Sequence, residues 1–564
     1  MESIGDTPMI RFTVLNEFYK SIEGEFPKEI SGTDNIHLYA AKGTTAVFQL
    51  LFSSDEPFCL TTGSRAYFSQ ELQRPTVRIK PSCGTAKIEK YHTINDGRRV
   101  ADAILDADTA EFESTAAVFC TVDVPPDATG SISCRVDIFM SHLFSPETAI
   151  GTVNAEITVY DFRMPEKLRF YLDLWQHHTA IARAHGVPLW SDEHFMLIDR
   201  YAETLGKLGQ KCVSIVVSDV PWAGQGCFAR LPERANLYEY SMVPIKKCGG
   251  RFIYDFAPMQ RCIDIYARHG VDTEITLFGL IGIWQRPEHG FVPQAEDRPD
   301  SLHVRYLDED GAFRYMDKGE DIDAYISALE RYFRETGQLD KVRVCADEPS
   351  DADAFAASLA RLHAAAPGFK LKCAICHSEF IGKFCEIQDY VPYLTCLATE
   401  YDTISRYRDK MKDHRFLWYV CCGPQYPNTF IKSPLLQTIF IAAFTAFAGL
   451  DGFLRWNYCV YNEDPLMDIR YMMFDAGDLN FVYPSPSGKP LLTIRWYALK
   501  RAAEIFELIS VARERRADVQ SLLESVIPVT DINKYADGSV SEEYVTSKSL
   551  ENLYKELLDL VVER

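Results

Sequence analysis

Hydrophobic and polar positions follow two rhythms along this chain. Up to about residue 160 they alternate in short runs, at 36–40, 46–52, 76–79, 117–122, 131–139 and 156–160. A period of two marks half-buried strands. Turn-forming clusters such as Ser53-Ser54-Asp55-Glu56-Pro57 and Pro125-Pro126-Asp127-Ala128-Thr129-Gly130 separate the runs. This spacing predicts an antiparallel β-sandwich over residues 1–162, an accessory domain with no catalytic constellation of its own.

After Asp161-Phe162-Arg163-Met164-Pro165 the rhythm changes. Apolar runs of strand length now alternate with amphipathic helical patterns, which marks a parallel α/β fold. Eight runs read as strands: 168–174, 212–217, 274–280, 342–347, 370–375, 393–398, 416–421 and 452–458. Helical patterns lie between them at 192–208, 258–269, 320–336, 351–366, 379–388, 403–412 and 434–448, and one at 493–512 follows the last. Eight such units over residues 163–512 predict a (β/α)8 TIM-type barrel. An open doubly wound sheet is the alternative, but no glycine-rich phosphate loop follows the first run. Two insertions, 225–254 with Gly249-Gly250 and 287–317 around Asp308-Glu309-Asp310-Gly311, each read as a hairpin covering the C-terminal strand ends. Residues 513–564 read as a helical extension. Its apolar stripe of Leu550, Leu553, Leu557, Leu558 and Val561 would pack on the barrel or on a partner subunit.

In such a barrel the chemistry sits where the strands end. The fourth strand ends in Asp347-Glu348, and Pro349 stops the ladder because it has no N–H to donate. Trp175-Gln176-His177-His178 follow the first strand, Asp219 and Trp222 the second, and Trp284 the third. Glu400-Tyr401-Asp402 follow the sixth, Tyr426 and Asn428 the seventh, and Arg455-Trp456-Asn457 close the eighth. Flat aromatic faces, hydrogen-bonding side chains and carboxylates together make a sugar cleft. Each residue alone also fits a packing role, and an Asp-Glu before proline also reads as a solvated turn. Their recurrence at seven strand ends favours the cleft. A metal could be sought in His177, His178, Asp219 and Asp347, but adjacent histidines on a strand point to opposite faces. No metal and no cofactor is expected.

Composition narrows the partners. The chain is 47% hydrophobic and 25% charged, an ordinary globular balance, with 12% aromatics. Its net charge of −21, without a basic run, argues against nucleic acid and against an anionic membrane surface. A neutral glycan or glycoside fits best. Of the 16 cysteines, Cys373 and Cys376 precede His377 in the lettering of a haem attachment site. That stretch alternates like a buried strand, however, and no second cysteine or histidine pair has zinc spacing. The first 20 residues lack a basic segment followed by an apolar run, and no apolar span reaches 18 residues, so a cytoplasmic location is expected. Oligomeric state is not legible.

Four stretches in this order resemble glycoside hydrolase family 123. They are Asp173-Leu174-Trp175-Gln176-His177, the Asp347-Glu348 pair, Gly423-Pro424-Gln425-Tyr426-Pro427-Asn428-Thr429-Phe430, and Gly449-Leu450-Asp451-Gly452-Phe453-Leu454-Arg455-Trp456. The resemblance covers about 160–512, and the β-rich region matches the family's accessory domain. It implies a retaining exo-β-N-acetylgalactosaminidase in which the sugar's own 2-acetamido oxygen attacks the anomeric carbon. Glu348 would then be the general acid/base, and Asp347 would orient the acetamido group. Trp175, His177, Asp219, Trp222, Tyr426, Asn428, Arg455, Trp456 and Asn457 would line the sugar site. His178 and Ser218 depart from the family pattern near the pocket and bear on sugar specificity. A glycosidase for another 2-acetamido or a neutral sugar is one alternative reading. A non-catalytic carbohydrate-binding protein and an interaction scaffold are the others.

Overall fold

A computed structural model describes residues 9–27, 34–63, 74–142, 145–221, 238–281, 293–298, 300, 302–384, 386–536 and 540–562. The N-terminal region forms two sheets. One runs in space Arg11–Asn16, Thr45–Ser53, Thr115–Asp123, Thr85–Thr93, Arg99–Ile104. The other runs Asn35–Lys42, Thr148–Arg163, Ser131–Ser141, Thr76–Pro81, Phe58–Thr61, Thr109–Phe112. Pairing is antiparallel except at two joints, Asn35–Lys42 with Thr148–Arg163 and Phe58–Thr61 with Thr76–Pro81. Inward residues of both sheets, such as Phe48, Leu50, Val118, Val136 and Ile157, share one core. Each of the six predicted runs falls within a strand. The pattern does not single out Thr85–Thr93 or Arg99–Ile104, because these strands bury polar groups. Glu89, His92 and Asp102 are all buried there. His92 stacks on Tyr483, and Arg495 and the Tyr483 hydroxyl donate to Asp102, which fastens this sheet to the barrel.

Glu89 makes this region sensitive to pH. Neither carboxylate oxygen has a hydrogen-bond partner among the described residues. Burial, reinforced by the nearby Asp102, pushes its carboxyl from 4.5 up to about 8. An unfolded chain releases this proton near pH 4.5 and the folded chain keeps it. Stability is therefore full at low pH and is lost as pH rises towards 8, by about 1.4 kcal/mol per pH unit for one proton. Glu89→Gln is expected to raise the melting temperature at pH 8 and leave it nearly unchanged at pH 4.5. Equal shifts at both values would contradict this.

Eight parallel strands form the barrel sheet: Tyr171–Leu174, Cys212–Val216, Glu274–Phe278, Val342–Asp347, Lys370–Ile375, Ile387–Pro392, Arg415–Tyr419 and Gly452–Arg455. Seven neighbouring pairs are joined through backbone ladders. The first and second strands share only an isolated bridge, Leu172 with Gln210. Side chains close the rest of that seam. The Gln210 amide oxygen accepts from the Leu174 N–H at 2.9 Å, and its nitrogen donates to the carbonyls of Leu174 and Cys212. The Gln176 amide oxygen accepts from the Ser214 N–H at 2.7 Å. Buried backbone groups need partners, and two glutamines supply them where the ladder is missing.

Two predictions are corrected. The sixth strand is Ile387–Pro392, not 393–398, where the helix Leu394–Thr399 begins. The helix predicted at 379–388 is a single 3-10 turn, Ser378–Phe380, followed by this strand. Asp389 explains the error: it sits inside the barrel and breaks the apolar run. A short helix after the first strand, His178–His185, was not expected. The two insertion hairpins are present, Ile245–Cys248 with Arg251–Tyr254 and Arg305–Leu307 with Phe313–Tyr315. They join into one four-stranded sheet through the pairing of Lys246 with Leu307.

Strand alternation sorts residues to the two sides of the barrel wall. Phe416, Trp418 and Val420 face the helices, while Leu417 and Tyr419 face the lumen with Trp175, Phe278, Cys345 and Leu454. The lumen is also crossed by charge. Lys372 donates to Asp173 at 2.6 Å and also pairs with Glu274, and Arg415 bridges Glu274 and Asp389 at 3.0 Å to each. Arg343 reaches Asp389 at 3.1 Å. Burial alone would raise the Glu274 carboxyl, but Lys372 and Arg415 together hold it below its usual value. Asp173 and Asp389, with burial dominant, lie above theirs.

The long helix Ile494–Glu514 follows the barrel. The C-terminal helix Leu553–Val562 buries Leu553, Leu557, Leu558 and Val561, packing on that helix and on Thr148–Arg163. The Tyr160 hydroxyl donates to Asp559 across that contact. Among the described residues, no helix is long and apolar enough to cross a membrane.

Candidate active site

Asp347 ends the fourth strand and Glu348 follows it, both partly exposed. The Glu348 N–H still bonds the Ala374 carbonyl at 3.0 Å. Its φ of 50° then turns the chain into the left-handed region. That conformation costs a non-glycine residue about 1–2 kcal/mol, and it breaks the alternation of the strand just where the second acid stands. Tyr419, from the seventh strand, donates its hydroxyl to Glu348 Oε1. The Cys376 thiol, from the end of the fifth strand, is a second donor to this carboxyl. Burial pushes the Glu348 carboxyl up, while these two donors and the nearby His377 pull the other way, and burial prevails. A carboxyl that holds its proton more tightly than usual suits a general acid.

Other strand ends surround the pair. Tyr393, next to the sixth strand, packs against Tyr419 with ring centroids 5.3 Å apart. Cys421 and Cys422 follow the seventh strand, with their sulfurs 3.8 Å apart. His177 is buried, and its Nε2 lies 3.1 Å from the Trp456 carbonyl, which fixes the proton on that nitrogen. Burial brings His177 down to about 4, so the ring is neutral at pH 7. Its other nitrogen lies 3.9 Å from Glu239. Glu239 accepts the Thr179 N–H at the start of the short helix, and burial raises it to about 7.

Arg455, Asn428 and Asp478 build one wall. Arg455 is fully buried. It donates to the carbonyls of Val420 and Cys421, to Asn428 and, at 2.7 Å, to Asp478. Asn428 donates to the carbonyls of Cys421 and Pro424. Asn457 donates to the Asp478 carbonyl, and the Trp456 indole to its carboxylate at 3.3 Å. The wall therefore fixes the loop after the seventh strand, where Gly423-Pro424 and Tyr426-Pro427 are cis.

The catalytic-domain model of glycoside hydrolase 123 matches residues 175–512. The chain belongs to glycoside hydrolase family 123. It is thus a glycoside hydrolase, acting on a glycan or glycoside. Its fold is similar to that of a family 123 glycoside hydrolase from Clostridium perfringens, whose structure was described for glycolipid glycan hydrolysis. That likeness has a TM-score of 0.72 and 15% identity, and covers 98% of this chain and 100% of the other. Xylanase 10B from Thermotoga maritima matches at a TM-score of 0.30 and 11% identity, over 60% of this chain and 96% of its own. No curated protein matches the chain in sequence.

Within the family 123 barrel, the strand-end residues separate by exposure. Trp456 and Tyr426 are partly exposed; Trp456 packs on the lumen cluster, whereas Tyr426 packs on the helix side and its hydroxyl reaches Glu542. Trp175 is 2% exposed and edge-on to Phe278, and its indole N–H has no acceptor among the described residues. Asp219 is fully buried: it accepts from the Ser241 N–H, Arg305 and Tyr315, and so pins the insertion sheet to the second strand. Trp222 and Trp284 lie outside the described residues. His178 is buried against Tyr266 and Cys262, and Ser218 donates to the Gly279 carbonyl. Cys373 is buried among the helix-facing residues, while the Cys376 thiol is engaged with Glu348.

Tyr419, Tyr393 and Glu239 were not singled out from sequence, and Cys376 was weighed only as part of the haem lettering. Tyr419 shares the parity of Arg415 and Leu417 along its strand, and that signal alone directs it inward. Glu239 belongs to a two-residue strand, Tyr238–Glu239, with no such signal. Asp173, Cys212 and Glu274 are close enough to suggest a metal site. The Lys372 ammonium already stands among them, 2.6 Å from Asp173 and 3.6 Å from the Cys212 sulfur.

Proposed function

We propose that this family 123 enzyme is a retaining exo-glycosidase. It releases terminal β-linked N-acetylgalactosamine with help from the substrate's own 2-acetamido group. The adjacency of Asp347 and Glu348 carries this reading. An ordinary retaining glycosidase needs an acid and a nucleophile on opposite faces of the sugar, about 5–5.5 Å apart. Neighbouring residues at one strand end approach from one side. Among the described residues, Asp219, Glu239 and Asp478 near the strand ends are buried and engaged in holding loops. A pair of adjacent acids suits a reaction in which the substrate supplies the nucleophile.

Glu348 protonates the leaving oxygen while the acetamido oxygen attacks the anomeric carbon. The glycosidic C–O bond breaks and a bicyclic oxazolinium forms. Asp347 accepts the acetamido N–H and balances its positive charge. Water then adds from the face the aglycone left, giving its proton to Glu348, so configuration is retained. The Trp175 indole N–H donates to the sugar and Trp456 offers a ring face. His177, Asp219, Asn428, Arg455 and Asn457 act by fixing the walls. The free thiols around the pocket support a reducing compartment, the cytoplasm.

A panel of aryl β-glycosides tests the reading. Turnover of the N-acetylgalactosaminide is expected to exceed that of the N-acetylglucosaminide, and the galactoside, which has no acetamido group, should be inert. NMR of the first-formed product should show the β-anomer. Equal turnover of the galactoside would sink the assisted mechanism. A preference for the glucosaminide would move the specificity to the epimeric sugar.

A further inference from the structure

Thiols gather around Glu348 in a way the glycosidase reaction does not use. Cys376 donates to its carboxyl. Cys421 and Cys422 stand on the loop after the strand that supplies Tyr419, their sulfurs 3.8 Å apart, one partly exposed and the other exposed. Both feel the charge of Glu348, as does Tyr393 beside them. The backbone under the pair is clamped. The Cys421 N–H bonds the Gly423 carbonyl, and the Cys421 carbonyl accepts from Asn428 at 3.1 Å and Arg455 at 3.0 Å.

We propose that Cys421 and Cys422 form a second ligand site at the mouth of the catalytic pocket. It is a vicinal dithiol that captures trivalent thiophilic metalloids, the class of organic arsenicals, and blocks the glycosidase. The argument is geometric. A disulfide requires sulfurs about 2.05 Å apart. Closing that distance between adjacent residues would distort a backbone that three hydrogen bonds hold. One larger bridging atom spans two sulfurs already side by side and leaves the backbone in place. In the reaction an arsenical R–As(OH)2 exchanges its two As–O bonds for two As–S bonds. The thiol protons leave with the hydroxyls as two waters, and no electron changes hands. The adduct's organic group then projects beside Glu348 and Tyr393, where the leaving group must depart. The blocking effect rests on the assignment of Glu348 as the acid/base, whereas capture itself does not.

The test uses the full chain and phenylarsine oxide. Intact mass and peptide mapping should show one adduct on Cys421-Cys422, and glycosidase activity should fall more than tenfold. The dithiol 2,3-dimercaptopropanol should restore it, and a monothiol at equal concentration should not. Cys422→Ser, at an exposed position, should form no stable adduct and keep more than half its activity under the same treatment. Cys83 and Cys134 are a second close pair, so Cys83→Ser serves as the control and should behave as wild type. The proposal is overturned by an adduct mapped to Cys83–Cys134, by a stable adduct in Cys422→Ser, by a Cys421–Cys422 disulfide in place of the adduct, or by full activity with the adduct in place. Mapping needs no turnover, so it decides the site even where the glycoside panel fails.

Discussion

Glu348→Gln is expected to lower kcat/KM on N-acetylgalactosaminides with poor leaving groups by about 10²–10⁴-fold, the usual contribution of a positioned general acid. Glutamine keeps the size of the side chain and one carbonyl acceptor for the Tyr419 hydroxyl, so the loss reports the missing proton. Leaving groups that depart without protonation should be nearly unaffected in the first step. The dependence of rate on leaving-group acidity should therefore steepen. Asp347→Asn should also lose turnover, since a neutral amide cannot balance the oxazolinium, while affinity for the sugar persists. Steady-state kinetics across a leaving-group series checks both. Turnover kept by both variants would remove the pair from the mechanism.

Lys372→Met is expected to cost about 3–5 kcal/mol of stability, the typical penalty for breaking a buried ion pair. Lys372 and Asp173 are both fully buried, so removing the ammonium leaves a buried carboxylate without its partner. The loss should appear as a lower urea midpoint at pH 7. It should shrink at acid pH, where Asp173, already raised by burial, takes up a proton and neutralises itself. A loss below about 1 kcal/mol at pH 7 would mean that the remaining acids and Arg415 rearrange to share their charge.

The strand end carrying Asp347 and Glu348 was legible because three signals bracket it: an apolar run, a proline that ends the ladder and a helical pattern after it. Six of the seven other strands were legible as apolar runs, Lys370–Ile375 among them although Lys372 faces the lumen. The sixth was not, because a glutamine and an aspartate interrupt its run. Ile387–Pro392 carries Asp389 inward to Arg343 and Arg415, so a rule that looks for apolar strands passed it over and chose the start of the next helix. The two-sheet region suffered likewise at Thr85–Thr93, where Glu89 and His92 are buried polar residues. Side-chain exposure was the part least readable from sequence. Trp175, Asp219, Asn428 and Arg455 have the residue types of a sugar site and stand at the expected strand ends. Their burial depends on partners such as Asp478, Arg305 and Phe278, brought in from elsewhere in the chain.

Gln176 and Gln210 give the barrel a property that a fully laddered cylinder lacks. Seven of its joints are backbone zippers, each strengthened by its neighbours along the strand. The eighth is stitched by two buried amide side chains, Gln176 standing between Trp175 and His177 in the chain. The seam beside the pocket therefore hangs on single side chains: changing either glutamine would leave buried backbone groups without partners there, whereas no one side chain holds any of the other seven joints.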